Sequence, residues 1–124
     1  EQAEGLILLT GGHKGPLGRL LSHKPEGVPS FLATLKDIFA DRLYIEIMRH
    51  GLPEQERLEP KFLELALEYN LPIVATNDVF FENPDMYQAH DALLCIAEGR
   101  YISEEDRIRV TQHHYFKSSQ EMQD

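Results

Sequence analysis

Three short apolar runs, with helical spacing between and after them, constrain this chain more than any other feature. The first is Gly5 to Thr10 (GLILLT), closed by Gly11-Gly12. The second lies in DRLYIEIMRHG, where Leu43, Ile45 and Ile47 alternate with Tyr44, Glu46 and Met48. The third is PIVAT, Pro72 to Thr76. The first and third, short apolar runs bounded by glycine, proline and polar residues, read as buried strands, and the alternating second reads as a strand. Between them, Phe31, Leu35 and Ile38, flanked by Leu32 and Phe39, recur at helical spacing, as do Phe62, Leu65, Ala66 and Tyr69. Strands alternating with helices predict parallel strands joined by helical crossovers, in an open sheet or part of a barrel. The expected fold class is α/β.

The punctuation supports this order. GHKGPLGRLLSHKPEGVP suits loops around a short helix near Leu17 to Ser22. Pro60 either opens the next helix at its first turn or kinks a longer one beginning near Glu54. Asn70 with Leu71-Pro72 ends it. Asn83 can cap a further helix, with Pro84 at its first position and Asp85 favoured by the dipole. Met86, Ala89, Leu93 and Ala97 then line one face, and Gly99 is a natural stop. RYISEEDRIRVTQHH, which follows, is polar and without pattern. Ser118 and Glu121 could form a capping box that begins a helix, with only three residues left after Glu121, so the chain is expected to be a piece of a longer polypeptide.

At 124 residues the chain is long enough for one domain with a real core. Its hydrophobic fraction of 42% and charged fraction of 27% are those of an ordinary soluble protein. No apolar run is long enough to span a bilayer, so no membrane partner is expected, and EQAEG is not a signal peptide. The single Cys95 excludes an internal disulfide, and a cytoplasmic setting is expected. Lying in an apolar helical stretch, Cys95 reads as a buried, inert thiol. Twelve basic residues against 21 acidic ones leave a net charge of -9, which argues against a broad grip on a phosphate backbone.

Sites in parallel α/β folds lie at the carboxyl ends of strands. Three such ends occur here: Thr10-Gly11-Gly12-His13, Met48-Arg49-His50-Gly51 and Thr76-Asn77-Asp78. Asp78, His50 and His13 could converge as a mixed nitrogen and oxygen metal set. The simpler reading makes Asp78 a turn carboxylate accepting backbone hydrogen bonds, and the histidines polar loop residues. His113 and His114 should diverge and be solvated, and His90 should hydrogen-bond locally beside Asp91. GGHKGPLG lacks the Lys-Ser/Thr ending of a nucleotide-binding loop. Glu46 and Glu64 show no partner for acid–base work, and Glu64 reads as helix surface.

GLILLTGG, YIEIMRHG, LALEYNLPIVATND and AHDALLCIAEG, in this order and spacing, resemble the bacterial DNA polymerase III alpha subunits. The part resembled is the latter half of their amino-terminal polymerase and histidinol phosphatase (PHP) domain. It would occupy residues 1–117, and YFKSSQEM would lead residues 118–124 towards the polymerase palm. The resemblance implies part of a distorted (βα)7 barrel within a replicative DNA polymerase, a nucleotidyltransferase. The upstream His-x-His motif and the palm aspartates with their magnesium would lie outside the chain. On its own the segment is therefore expected to be no enzyme and to have no cofactor.

Where intact family sites carry Asp-x-His, this chain reads Asp78-Val79-Phe80, and where they often carry cysteine it has Gly12. Of the ligand positions the segment would supply, only Asp78 survives, with His13 a substitute shifted by one residue. No catalytic residue and no bound metal are expected here, and Phe80 should extend apolar packing where an imidazole would have pointed. The resemblance thus implies a degenerate metal site in a structural and docking module. Its partners would be the rest of the alpha subunit, the proofreading exonuclease subunit and, through the parent protein, DNA and the sliding clamp. The alternative it implies is a metal-dependent phosphoesterase or 3′–5′ exonuclease with an altered ligand set.

Overall fold

The structure, a computed structural model, describes residues 3–123. The chain divides into two compact units. One runs through Met48 and resumes over Pro53–Thr76; the other joins Arg49–Leu52 to the stretch from Asn77 onward.

The first unit is the α/β element that the alternation predicts. Its order is β1 (Leu8–Leu9), α1 (Pro16–His23), α2 (Val28–Phe39), β2 (Leu43–Ile47), α3 (Pro53–Glu68) and β3 (Ile73–Ala75). The three strands are parallel and lie in the order β1-β2-β3. Leu8 pairs with Leu43 and Leu9 with Tyr44; Ile45, Glu46 and Ile47 pair with Ile73, Val74 and Ala75. Because side chains alternate across a strand, Leu43 and Ile45 share one face. Both are fully buried, in a core with Leu17, Val28, Leu32, Leu58, Phe62, Ala66 and Leu71.

GLILLT yields a strand of only two residues, and neither it nor β3 is buried as expected: Leu9, Ile73 and Ala75 are exposed. Arg42 explains the shortening: its guanidinium takes the carbonyls of Ala3 and Leu6, groups that a longer strand would offer to a neighbour. Pro60 lies inside α3, which starts at Pro53, so the longer of the two helices allowed by the sequence forms. The helix gives way to Asn70 at φ 50°, a left-handed turn that asparagine tolerates better than most residues.

The second unit holds α4 (Tyr87–Glu98) and α5 (Ser119–Gln123). Asn83 caps as expected, its side chain accepting from the Asp85 N–H at 3.2 Å, but Pro84–Met86 form a 3₁₀ turn before α4 begins. Gly99 closes α4 in the left-handed conformation, and the Arg100 N–H reaches back to the Cys95 carbonyl at 2.9 Å. The polar stretch after Gly99 is a pinned loop. Arg107 forms two hydrogen bonds to the Asp91 carboxylate, at 2.5 and 2.7 Å. The Ile108 N–H donates to Glu98 at 3.2 Å.

A short parallel pairing also runs here between Phe81 and Tyr115, flanked by Phe80 N–H to His114 O and Phe116 N–H to Phe81 O. The apolar stripe predicted for α4 does not face inward. Met86, Ala89, Leu93 and Ala97 are exposed, whereas Cys95 is buried on another side. No helix among the described residues is long and apolar enough to cross a membrane.

Candidate functional site

Within the second unit, the stretches after β2 and β3 in sequence bring His50 and Asp78 together. The Asp78 N–H donates to His50 Nε2 at 3.1 Å. Asp78 thus engages its neighbour through the backbone, and its side chain is exposed. An accepting Nε2 must be deprotonated, so His50 carries its proton on Nδ1 when neutral.

The ring of His50 is 1% exposed and stacks on that of His114, with centroids 4.0 Å apart and planes 11° from parallel. Burial, then the neighbouring His114, push the His50 pKa down to about 4, with Lys117 adding to the effect; Asp78 and Asn77 oppose it. His50 is therefore neutral near pH 7.

Thr111 frames the pair. Its hydroxyl donates to the His50 carbonyl at 2.5 Å, and its N–H donates to His114 Nδ1 at 3.2 Å. His114 is only 5% exposed, so the expectation of a solvated His113–His114 pair fails for its second member. The two rings do diverge: His113 is exposed, beside Gly51. The parallel pairing with Phe80 and Phe81 turns His114 inward, which the polar composition of this stretch conceals. His50 likewise is a buried stacking partner and no loop-surface residue.

Phe80 is 53% exposed and lies against two imidazoles, those of His114 (5.3 Å) and His90 (5.6 Å). It extends an aromatic and imidazole cluster in place of the apolar packing expected of it. His90 also contacts the Phe81 ring, and its buried Nδ1 has no hydrogen-bond partner. The local hydrogen bond expected of His90 is not made at this nitrogen, and the adjacent Asp91 is held by Arg107. That guanidinium holds the Asp91 carboxyl below its ordinary pKa. Cys95 is buried, as its apolar setting predicts, and Glu64 is exposed.

The first unit holds the remaining candidates. Glu46, for which the sequence showed no partner, is 7% exposed and doubly held. Its carboxylate accepts from the Gly11 N–H at 2.8 Å and the Thr76 hydroxyl at 2.6 Å, while its own N–H donates to Thr10 Oγ1 at 3.0 Å. One buried carboxylate thereby ties together the residues that follow β1 and β3. His13 packs near Gln55, with Nδ1 3.4 Å from the amide nitrogen, beside a cavity of about 10 Å³ shared with Ile47, Met48, Glu59 and Phe62. That volume is about one water's worth. The glycines of GGHKGPLG serve close packing: a Cβ on Gly15 would stand 2.2 Å from the Thr10 carbonyl oxygen.

Within the second unit His50 Nε2 is occupied by a backbone N–H, and Phe80 brings a ring without a donor. Among the described residues no three His, Cys, Asp or Glu side chains group to hold an ion.

The first unit is a parallel α/β segment, and the second holds a buried imidazole pair. No family model matches the chain. Relatives do. The chain is 46% identical over 123 residues to the DNA polymerase III subunit alpha of Caulobacter vibrioides, covering 98% of this chain and 11% of that protein. Against the same subunit of Rickettsia bellii the figures are 45% over 123 residues, 98% and 10%. With Pasteurella multocida they are 39% over 126 residues, 100% and 11%. In sequence, then, the chain corresponds to a segment of the DNA polymerase III alpha subunit, spanning about a tenth of the curated relatives it matches.

Proposed function

We propose that the chain is the latter part of the PHP domain of a replicative DNA polymerase alpha subunit, residues 1–117, with residues 118–124 leading towards the palm. It acts there as a structural and docking module, supporting the rest of the subunit and receiving the proofreading exonuclease subunit. Polymerisation, its magnesium, and contacts with DNA and the sliding clamp belong to other parts of the parent protein, in the cytoplasm. Asp78 is the remnant of a degenerate metal site.

One observation carries the last point. The Nε2 of His50, the nitrogen nearest Asp78, is engaged by the Asp78 N–H inside a stacked and buried pair. A metal there would have to displace a satisfied hydrogen bond, and each missing first-shell donor lowers affinity further. Elemental analysis and zinc and manganese calorimetry on the complete alpha subunit test the reading. The expected result is no metal whose retention depends on Asp78. Stoichiometric metal lost in Asp78→Asn, together with metal-dependent nuclease activity lost in the same variant, would instead establish the altered-ligand phosphoesterase.

A further inference from the structure

Charge is unevenly spread along the first unit. No Asp or Glu occurs between Glu4 and Glu26, a stretch that holds Lys14, Arg19 and Lys24 in a chain of net charge -9. Lys14 ends the 3₁₀ turn before α1, Arg19 lies on the helix, and Lys24 follows its last residue. All three are exposed, while Leu17 of the same helix is fully buried. The helix thus turns its apolar side to the core and Arg19 outward. Among the described residues none of the three cations has an ion-pair partner.

A fourth cation comes from α3. Arg57 is exposed, with Nη2 3.5 Å from Ser22 Oγ. Ser22 is three residues on from Arg19 and so lies on the same side of α1. Two guanidiniums and a hydroxyl therefore share one surface, a donor set that suits phosphate oxygens.

The apolar side chains say what this face is not. Between Leu9 and Ile38 no large hydrophobic side chain is exposed. Protein interfaces are anchored by aromatic and aliphatic groups, and single-strand binders stack bases on aromatic rings. This face offers neither. It presents charge and hydrogen-bond donors, which meet a phosphate backbone without reading its bases.

We propose that the α1 face, with Arg19, Lys24, Lys14 and Arg57, binds the phosphate backbone of a DNA strand independently of its sequence. This rests on the reading that the chain is a segment of a replicative DNA polymerase, and it goes beyond that reading by adding a contact within this segment. The face is narrow, in keeping with a net charge that argues against a broad grip.

Arg19→Ala combined with Lys24→Ala, in the complete alpha subunit, tests this through the salt dependence of binding to a primed DNA template. Each phosphate contact contributes about 0.7 to 0.9 to the slope of log affinity against log salt. The expected result is a slope shallower by about 1.5 on two unrelated template sequences, and restored by Arg19→Lys with Lys24→Arg. A change confined to one sequence overturns the proposal, since it would mean base readout. An unchanged slope also overturns it, and lost binding to polyglutamate in that variant would then assign the face to an acidic protein segment. A parent subunit that binds no DNA defeats the polymerase reading itself. One that binds DNA with a slope unmoved by the double variant defeats the α1 face alone.

Discussion

The two units draw on similar residue types and bury them differently. In the first, Leu17, Leu32, Leu43, Ile45 and Leu58 are all at most 1% exposed, and the buried carboxylate of Glu46 is held by Gly11 and Thr76. In the second, Phe81 and Cys95 are the buried apolar residues among those described, and the centre is a pair of stacked histidines. One unit is held by an apolar core and the other by hydrogen bonds, an ion pair and ring contacts. Apolar burial is non-directional and tolerates small shifts, while polar contacts depend on geometry and protonation. The two should therefore fail under different perturbations.

The largest effect should come from the apolar core. Leu32→Ala removes a fully buried side chain and should weaken the first unit by about 3 kcal/mol. Hydrogen exchange on the complete subunit should show this as faster exchange in β2 and α2. The Phe80 and Phe116 amides, in the other unit, should keep their protection. Equal loss in both would break the distinction between the units.

Acid should do the reverse. His50 titrates at about 4 in the structure against an ordinary value of 6.5, so between these limits the unfolded state binds the proton and the folded state does not. Stability from this group is complete above pH 6.5 and declines as pH falls towards 4, by on the order of 3 kcal/mol in all. Protonated Nε2 can no longer accept from the Asp78 amide. Exchange of the peptide spanning Asn77 to Phe80 should accelerate first, before any change in β2. Opening of β2 at the same pH or a higher one would count against this ordering.

Thr111→Val sharpens the same contrast without changing pH. It keeps the side-chain shape and removes the hydroxyl that donates to the His50 carbonyl. Leaving that carbonyl unpaired should cost about 1–2 kcal/mol locally. In the exchange experiment the loss should be confined to peptides holding His50 and His114. A silent variant would mean that the imidazole stack stands without its threonine frame.

The contrast between the units also decides what could be read from the sequence. The strands and helices of the first unit are legible because burial on one face leaves a period in the chain: Leu43, Ile45 and Ile47 for β2, Phe62, Leu65 and Ala66 for α3. The short β1 was over-read because nothing in GLILLT reveals that Arg42, more than thirty residues away, takes the Leu6 carbonyl. In the second unit the period misleads. The regular stripe of α4 points outward, and His114, which the polar stretch conceals, points inward. Stacking, ion pairing and backbone donors have no fixed spacing along a chain. Glu46 was missed for the same reason, since its partners Gly11 and Thr76 lie 35 and 30 residues away.

Ser118 is where local signal and polar structure agree, and the smallest effect belongs there. Its N–H donates to Glu121 at 2.8 Å and its hydroxyl faces the Glu121 N–H at 3.3 Å, the reciprocal pair that the sequence alone predicts. Tyr115 also donates to that carboxylate, at 2.7 Å, and these hydrogen bonds, the tyrosine's first, hold its pKa down to about 2. The cap therefore stays charged far below the pH at which His50 gains its proton. Ser118→Ala should loosen α5 by about 1 kcal/mol. Faster exchange at Met122, whose N–H bonds the Ser118 carbonyl at 3.0 Å, would report it. If acid frees α5 together with the Asp78 amide, the helix depends on the imidazole pair more than on its own cap. If α5 holds while that amide opens, a polar element encoded within four residues outlasts one assembled from distant parts of the chain.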